Sequence, residues 1–126
     1  MLPGQIHFKD RARQLRDFTG LRWGSITPTD IDGLIDFQNK AFVLFELKRE
    51  GAEMPYGQEL AIERTAILMN KQKPTIAFLA EHRDDGEFIR AANAIVVSYF
   101  WNGDWWMDDR EITLKQAIDN FLEKYR

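Results

Sequence analysis

The sequence predicts an α/β (α+β) fold, a central mixed β-sheet flanked by helices in the order αβββαββα. Apolar, β-branched and aromatic runs of strand length supply the sheet, stretches with helical spacing lie before, between and after them, and turn residues mark each change of texture. The 126 residues allow one core, so residues 1–126 are read as a single domain, and no repeat, linker or low-complexity tract divides them.

Each element has its own signal. Phe8 to Phe18 sets Phe8, Leu15 and Phe18 on one helical stripe with arginines between them, and Gly20 stops it. Trp23–Ile26, Ile31–Phe37 and Ala41–Leu47 read as three successive strands, the last two joined by the polar turn Gln38-Asn39-Lys40. Pro55 and Gly57 open a helix whose Leu60, Ile62, Ala66, Ile67 and Met69 recur at mixed three- and four-residue spacing until Pro74. Apolar residues on more than one side of it predict a well-covered helix. Thr75–Ala80 and Ala94–Phe100 read as strands, with Asp84-Asp85-Gly86 as a turn between them. Thr113 can cap a last helix that carries Leu114, Ala117, Ile118, Phe121 and Leu122 on one face.

Composition removes several classes of function. Without cysteine there is no disulfide framework, thiolate metal site or cysteine nucleophile. No run reaches the roughly 18 to 20 apolar residues that span a bilayer, and the first residues lack the pattern of a secretory signal, so an intracellular, cytoplasmic location without membrane contact is expected. Gly51, Gly57 and Gly86 stand alone, which excludes a phosphate-binding loop or dinucleotide fingerprint. His7 and His82 have no partner at ligand spacing, and no serine sits in a nucleophile elbow, so both histidines read as surface or strand-end residues.

Charge is unevenly spread. The net charge is -3, yet residues 1–24 carry +3 while residues 25–80 and 81–126 carry -2 and -4. A polyanion would therefore meet the first helix and selected loops, with Arg11, Arg13, Arg16 and Arg49 as candidate nucleic-acid contacts. A solvated helix face explains the same arginines equally well. The aromatic group Tyr99, Phe100, Trp101, Trp105 and Trp106 reads as core or subunit interface rather than as a base-stacking surface.

Chemistry is concentrated between Asp30 and Lys48. Glu46-Leu47-Lys48 ends an apolar strand, but about one such acid-x-lysine triplet is expected by chance in this composition, so its weight comes from context. Strand alternation puts Phe42, Leu44, Glu46 and Lys48 on one face, and Asp30, Asp32, Leu34 and Asp36 on one face of the preceding strand. A three-residue turn pairs Asp32 with Glu46, whereas a two-residue turn would send them to opposite faces, and Asn39 suits the three-residue form. Charges converging at the end of a buried hairpin must be paired or bind a metal. Oxygen ligands without histidine or cysteine suit Mg²⁺ or Mn²⁺, which points to metal-assisted phosphodiester cleavage. Asp36, beside the turn, reads as a turn acid.

Asp30-Ile-Asp-Gly-Leu-Ile-Asp, a short turn and Ala41-Phe-Val-Leu-Phe-Glu-Leu-Lys together resemble the catalytic hairpin of the PD-(D/E)XK nuclease superfamily, the restriction-endonuclease-like and Holliday-junction-resolvase-like enzymes. The likeness covers roughly residues 8 to 80. It implies a restriction-endonuclease-like core and a Mg²⁺- or Mn²⁺-dependent endonuclease acting on DNA in repair, recombination or phage-like processing. Asp32 and Glu46 would be metal ligands, the Leu47 carbonyl a further one, and Lys48 the catalytic lysine. Asp30 competes with Asp32 for the metal, and Pro28 stands two residues before Asp30 rather than directly before the acid. Gln58 is similar to the helical glutamine some branches place beside the site, and Asp10 and Asp17 are candidates for the acid that resolvase-like relatives add from the first helix. A homodimer fits a substrate of two strands. The competing expectation is a noncatalytic nucleic-acid-binding or protein-interaction module on the same fold, with structural acids.

Overall fold

From residue 33 onward, apolar side chains at every second position fold back on themselves at one tight turn. In the computed structural model, which describes residues 17–86 and 88–126, strand β1 (Gly33–Phe37) turns through Gln38-Asn39-Lys40 into β2 (Ala41–Arg49). The Lys40 N–H donates to the Phe37 carbonyl at 2.9 Å, and Gln38 and Asn39 take φ of 53° and 58°, left-handed values that asparagine tolerates well. Asp36 is the turn acid expected, accepting from the Asn39 N–H at 2.7 Å. Helix α1 (Tyr56–Asn70), β3 (Thr75–His82), β4 (Ile95–Trp101), β5 (Asp104–Met107) and α2 (Leu114–Leu122) follow, with single 3₁₀ turns at Ala91–Asn93 and Glu123–Tyr125.

The five strands form one mixed sheet in sequential order. Strands β2 and β3 run parallel and the other neighbours antiparallel, as expected where α1 supplies the crossover between β2 and β3. The sheet is covered on both faces. Leu44, Ala77 and Phe100 pack with Ile62 and Ala66 of α1, while Val43, Ile76, Phe78 and Val96 pack with Leu114, Ala117, Phe121 and Leu122 of α2. A bulge lets β4 serve both layers: Leu79 pairs with Ser98 but Ala80 with Val96, so Val97 is extra and the side-chain alternation reverses there. Thr113 caps α2 in a reciprocal box with Gln116.

The α+β class and the mixed sheet flanked by helices therefore stand, but the order αβββαββα does not. The described chain reads ββαβββα. The expected helix Phe8–Phe18 falls outside the described residues except for its last two positions, as do Asp10, Arg11, Arg13 and Arg16. Trp23–Ile26 is not a strand: it is a single tight turn in which the two end residues bond each other, with no strand beside it among the described residues. Strand β5 was not expected. Its signal is Asn102-Gly103, both at positive φ, the dipeptide that best marks a two-residue hairpin turn. Helix α1 is also less covered than expected, since Tyr56, Ile67 and Leu68 are exposed and only Ile62 and Ala66 are buried. Among the described residues no helix is long and apolar enough to cross a membrane.

Candidate functional site

The hairpin register sets the site. Gly33 faces Phe45 and Phe37 faces Ala41, so one step further Asp32 lies opposite Glu46, as the three-residue turn requires. At this end the backbone ladder gives way to side chains. The Asp32 N–H donates to Glu46 Oε2 at 3.2 Å, and the Leu47 N–H donates to Asp32 Oδ2 at 2.7 Å. Each carboxylate thus holds the other strand's backbone, which fixes both acids without spending a separate loop on them. Gly33 permits the close approach: a Cβ there would overlap the ring of Phe45, which lies across it.

Glu46 and Lys48 lie on the α1 face of the sheet, on the alternation that carries Leu44. Only 4% of Glu46 is exposed. Burial, and after it the neighbouring Asp32 charge, push its carboxyl above the usual range, against the pull of the Asp32 N–H, Gln58 and Lys48. The Lys48 ammonium lies 3.5 Å from Glu46 Oε1 and donates to Gln58 Oε1 at 2.8 Å. Gln58 in turn donates through its amide nitrogen to the Asp30 carbonyl at 2.8 Å. Its side chain therefore ties the first turn of α1 to the segment before β1 and to the lysine, rather than capping its own helix.

The structure thus brings together Asp32, Glu46, Lys48, Gln58 and the Asp30 main chain. The Leu47 N–H bond to Asp32 places the Leu47 main chain on the same edge of β2. Other candidates lie elsewhere. Arg49 projects from the opposite face to Lys48 and is engaged by the Asp84–Asp85 turn, at 3.1 Å to the Asp84 carbonyl and 2.5 Å to Asp85 Oδ1. Asp17 is spent on its own turn, bonding the Thr19 N–H at 2.9 Å and the Thr19 hydroxyl, which hold its carboxyl below the usual range. His82 ends β3, its Nδ1 buried without a hydrogen-bond partner among the described residues. Trp105 packs in the α1 layer and donates to Glu63 at 2.7 Å, and Trp101 packs edge-on against Phe121, while Trp106 stays half exposed. A cavity of ≈ 360 Å³ opens between Ala66 and Asn70 of α1, the following Lys71 and the Asn102–Gly103 turn; Phe100 lines it, but Asp32, Glu46, Lys48 and Gln58 do not.

Among the described residues no three His, Asp or Glu side chains converge on one point. The donor set is two carboxylates with a nearby carbonyl, all oxygen, which does not make a closed cage. It fits a hard cation that keeps several of its waters, as Mg²⁺ does. The mutual repulsion of Asp32 and Glu46 is the electrostatic strain such a cation relieves. The fold and site define an α+β domain with a paired-carboxylate and lysine centre on a hairpin end. The chain matches no family model, no curated protein and no solved structure.

Proposed function

We propose that the protein is a divalent-metal-dependent nuclease that hydrolyses phosphodiester bonds in DNA, on a core of the restriction-endonuclease-like kind that its hairpin resembles. The observation that carries the reading is the hairpin register, which sets Asp32 opposite Glu46 with Lys48 on the same face as Glu46. Asp32 and Glu46 would hold Mg²⁺ or Mn²⁺, with the Leu47 carbonyl and Asp30 as candidate further oxygen ligands. When bound, the cation supplies Lewis-acid polarisation of the phosphate and a water of lowered pKa. The Lys48 ammonium donates a hydrogen bond to the attacking water or to the charge growing on the phosphate oxygens. Gln58 holds that ammonium in place through its Oε1, so the lysine is presented rather than collapsed onto Glu46. DNA is the partner this chemistry implies, and a symmetric homodimer suits cleavage of two strands.

One observation favours the noncatalytic module instead: Asp32, Glu46, Lys48 and Gln58 already bond one another and the adjoining backbone. Thermal unfolding during titration with Mn²⁺ separates the two readings. A real site is stabilised by about 2.7 kcal/mol at a hundredfold excess of metal over Kd, and Asp32→Ala abolishes the shift. An unshifted wild type supports the module.

A further inference from the structure

We infer that the cavity between the carboxyl end of α1 and the β4–β5 hairpin is a binding site for a small planar anion, a ring that carries one phosphate or carboxylate group. The site is separate from the carboxylate and lysine centre: Asn70, which lines the cavity, lies about 18 Å along α1 from Gln58. The cavity measures ≈ 360 Å³, at the lower end of the range of small-molecule pockets and too small for a folded partner. Its apolar side is made by Ala66, Ile67 and Phe100. Trp105 packs tilted against the Phe100 ring, with centroids 5.3 Å apart, and so fixes the aromatic part of the wall. A flat apolar body is the shape such a wall favours.

The polar side offers hydrogen-bond donors, and their orientation follows from one bond. A backbone N–H can only donate, so the 2.9 Å bond from the Thr75 N–H turns Asn70 Oδ1 towards β3. Asn70 Nδ2 is thereby left to donate to Asn102 Oδ1 at 3.3 Å. The Asn102 Nδ2 keeps both of its hydrogens unspent among the described residues, and the left-handed turn at Asn102 and Gly103, with φ of 51° and 88°, holds that residue in the cavity wall. Lys71, exposed at the end of α1, adds an ammonium to the lining. None of the lining residues is acidic, in a chain that has twenty Asp and Glu. Glu63, the α1 acid one turn before Ala66, is engaged by Trp105 Nε1 at 2.7 Å. Donors and a cation without a carboxylate select an anion with acceptor oxygens. The apolar wall selects a ring over a bare inorganic ion.

Isothermal titration calorimetry in EDTA tests this with adenosine monophosphate and naphthoate as ring anions, and with adenosine and inorganic phosphate as their halves. The proteins are wild type, Lys71→Gln, Ile67→Trp and Asp32→Ala; Ile67 and Lys71 are exposed, so neither substitution touches the core. The wild type is expected to bind at least one ring anion saturably, with Kd below about 1 mM, and adenosine and phosphate more weakly. Lys71→Gln should weaken the ring anion about fivefold and leave adenosine unchanged. Ile67→Trp, which fills the cavity, should abolish binding, and Asp32→Ala should bind like wild type. Saturation by adenosine monophosphate alone identifies a nucleotide site and by naphthoate alone an aromatic-acid site, and either supports the proposal. It is overturned if neither ring anion saturates the wild type, if adenosine binds as tightly as its monophosphate, or if Ile67→Trp retains the affinity. Loss of binding in Asp32→Ala would place the ligand at the hairpin and overturn it as well. Cleavage assays do not enter these outcomes, so the cavity site and the nuclease reading stand or fall separately.

Discussion

Glu46→Gln separates the electrostatic cost of the site from its packing. The side chain is almost wholly buried, and its carboxyl is pushed up first by that burial and then by Asp32. A group whose folded-state pKa is raised contributes stability below its ordinary value of 4.5 and loses it as pH rises through the raised value. The wild type without metal should therefore weaken, relative to Glu46→Gln, as pH climbs from about 4.5 towards 8. Glutamine keeps the volume, can still accept from the Asp32 N–H, and leaves Lys48 its 2.8 Å bond to Gln58. Replacing the charge is thus expected to stabilise the metal-free protein at neutral pH by about 1–4 kcal/mol, the scale on which a neutral group in place of a buried charge changes stability, or about 4 °C of Tm for each kcal/mol in a domain of this size. Urea unfolding of both proteins in EDTA across that pH range measures the difference. A variant less stable than wild type at neutral pH, or a gap that does not change with pH, would refute the reasoning.

Three other outcomes follow from the same structure. Gly33→Ala puts a methyl group into the Phe45 ring and should cost about 1–3 kcal/mol in urea unfolding, with a matching loss of any metal-induced shift because Asp32 is the next residue. Asp108 is held below the usual carboxylate range, chiefly by its hydrogen bonds from Arg110, the shortest at 2.6 Å. Its contribution is present above its ordinary value and lost as pH falls through the depressed one, so Asp108→Asn, its partner Arg110 half exposed and screened by water, should cost about 0.5–1 kcal/mol at neutral pH and little in strong acid. Thr113→Ala removes the cap that accepts from the Gln116 N–H and should lower stability by about 1 kcal/mol, readable as a fall in Tm.

The hairpin was legible because two sequence signals agree there. Alternation from Leu34 to Leu47 assigns faces, and an odd turn keeps Asp32 and Glu46 on the same side. Where only one signal spoke, the reading failed. Trp23 and Ile26 have strand propensity but no strand beside them among the described residues, and they close a local turn. In α1, apolar spacing correctly indicated a helix, yet the sheet beneath covers only the Ile62–Ala66 side, and Ile67 and Leu68 are left in solvent. The bulge at Val97 leaves no mark in composition, although it decides which face Phe100 and Trp101 join. Strand β5 carries its signal in Asn102-Gly103, but the bulk of Trp105 and Trp106 masks the short alternation of a hairpin arm. At the site, the pairing of Asp32 with Glu46 followed from parity alone. The exchange of side-chain bonds that starts β1 at Gly33, and the double role of Gln58, depend on side-chain rotamers and on how α1 docks, which no local pattern encodes.

The central claim is tested most directly by incubating linear duplex, single strand, flap and four-way junction DNA with Mg²⁺ or Mn²⁺ and the wild type, Asp32→Ala or Lys48→Ala proteins. The account expects metal-dependent cleavage of at least one substrate by the wild type and none by either variant. A wild type that binds metal nowhere and cuts nothing, or a Lys48→Ala variant that cuts as well as wild type, would contradict it.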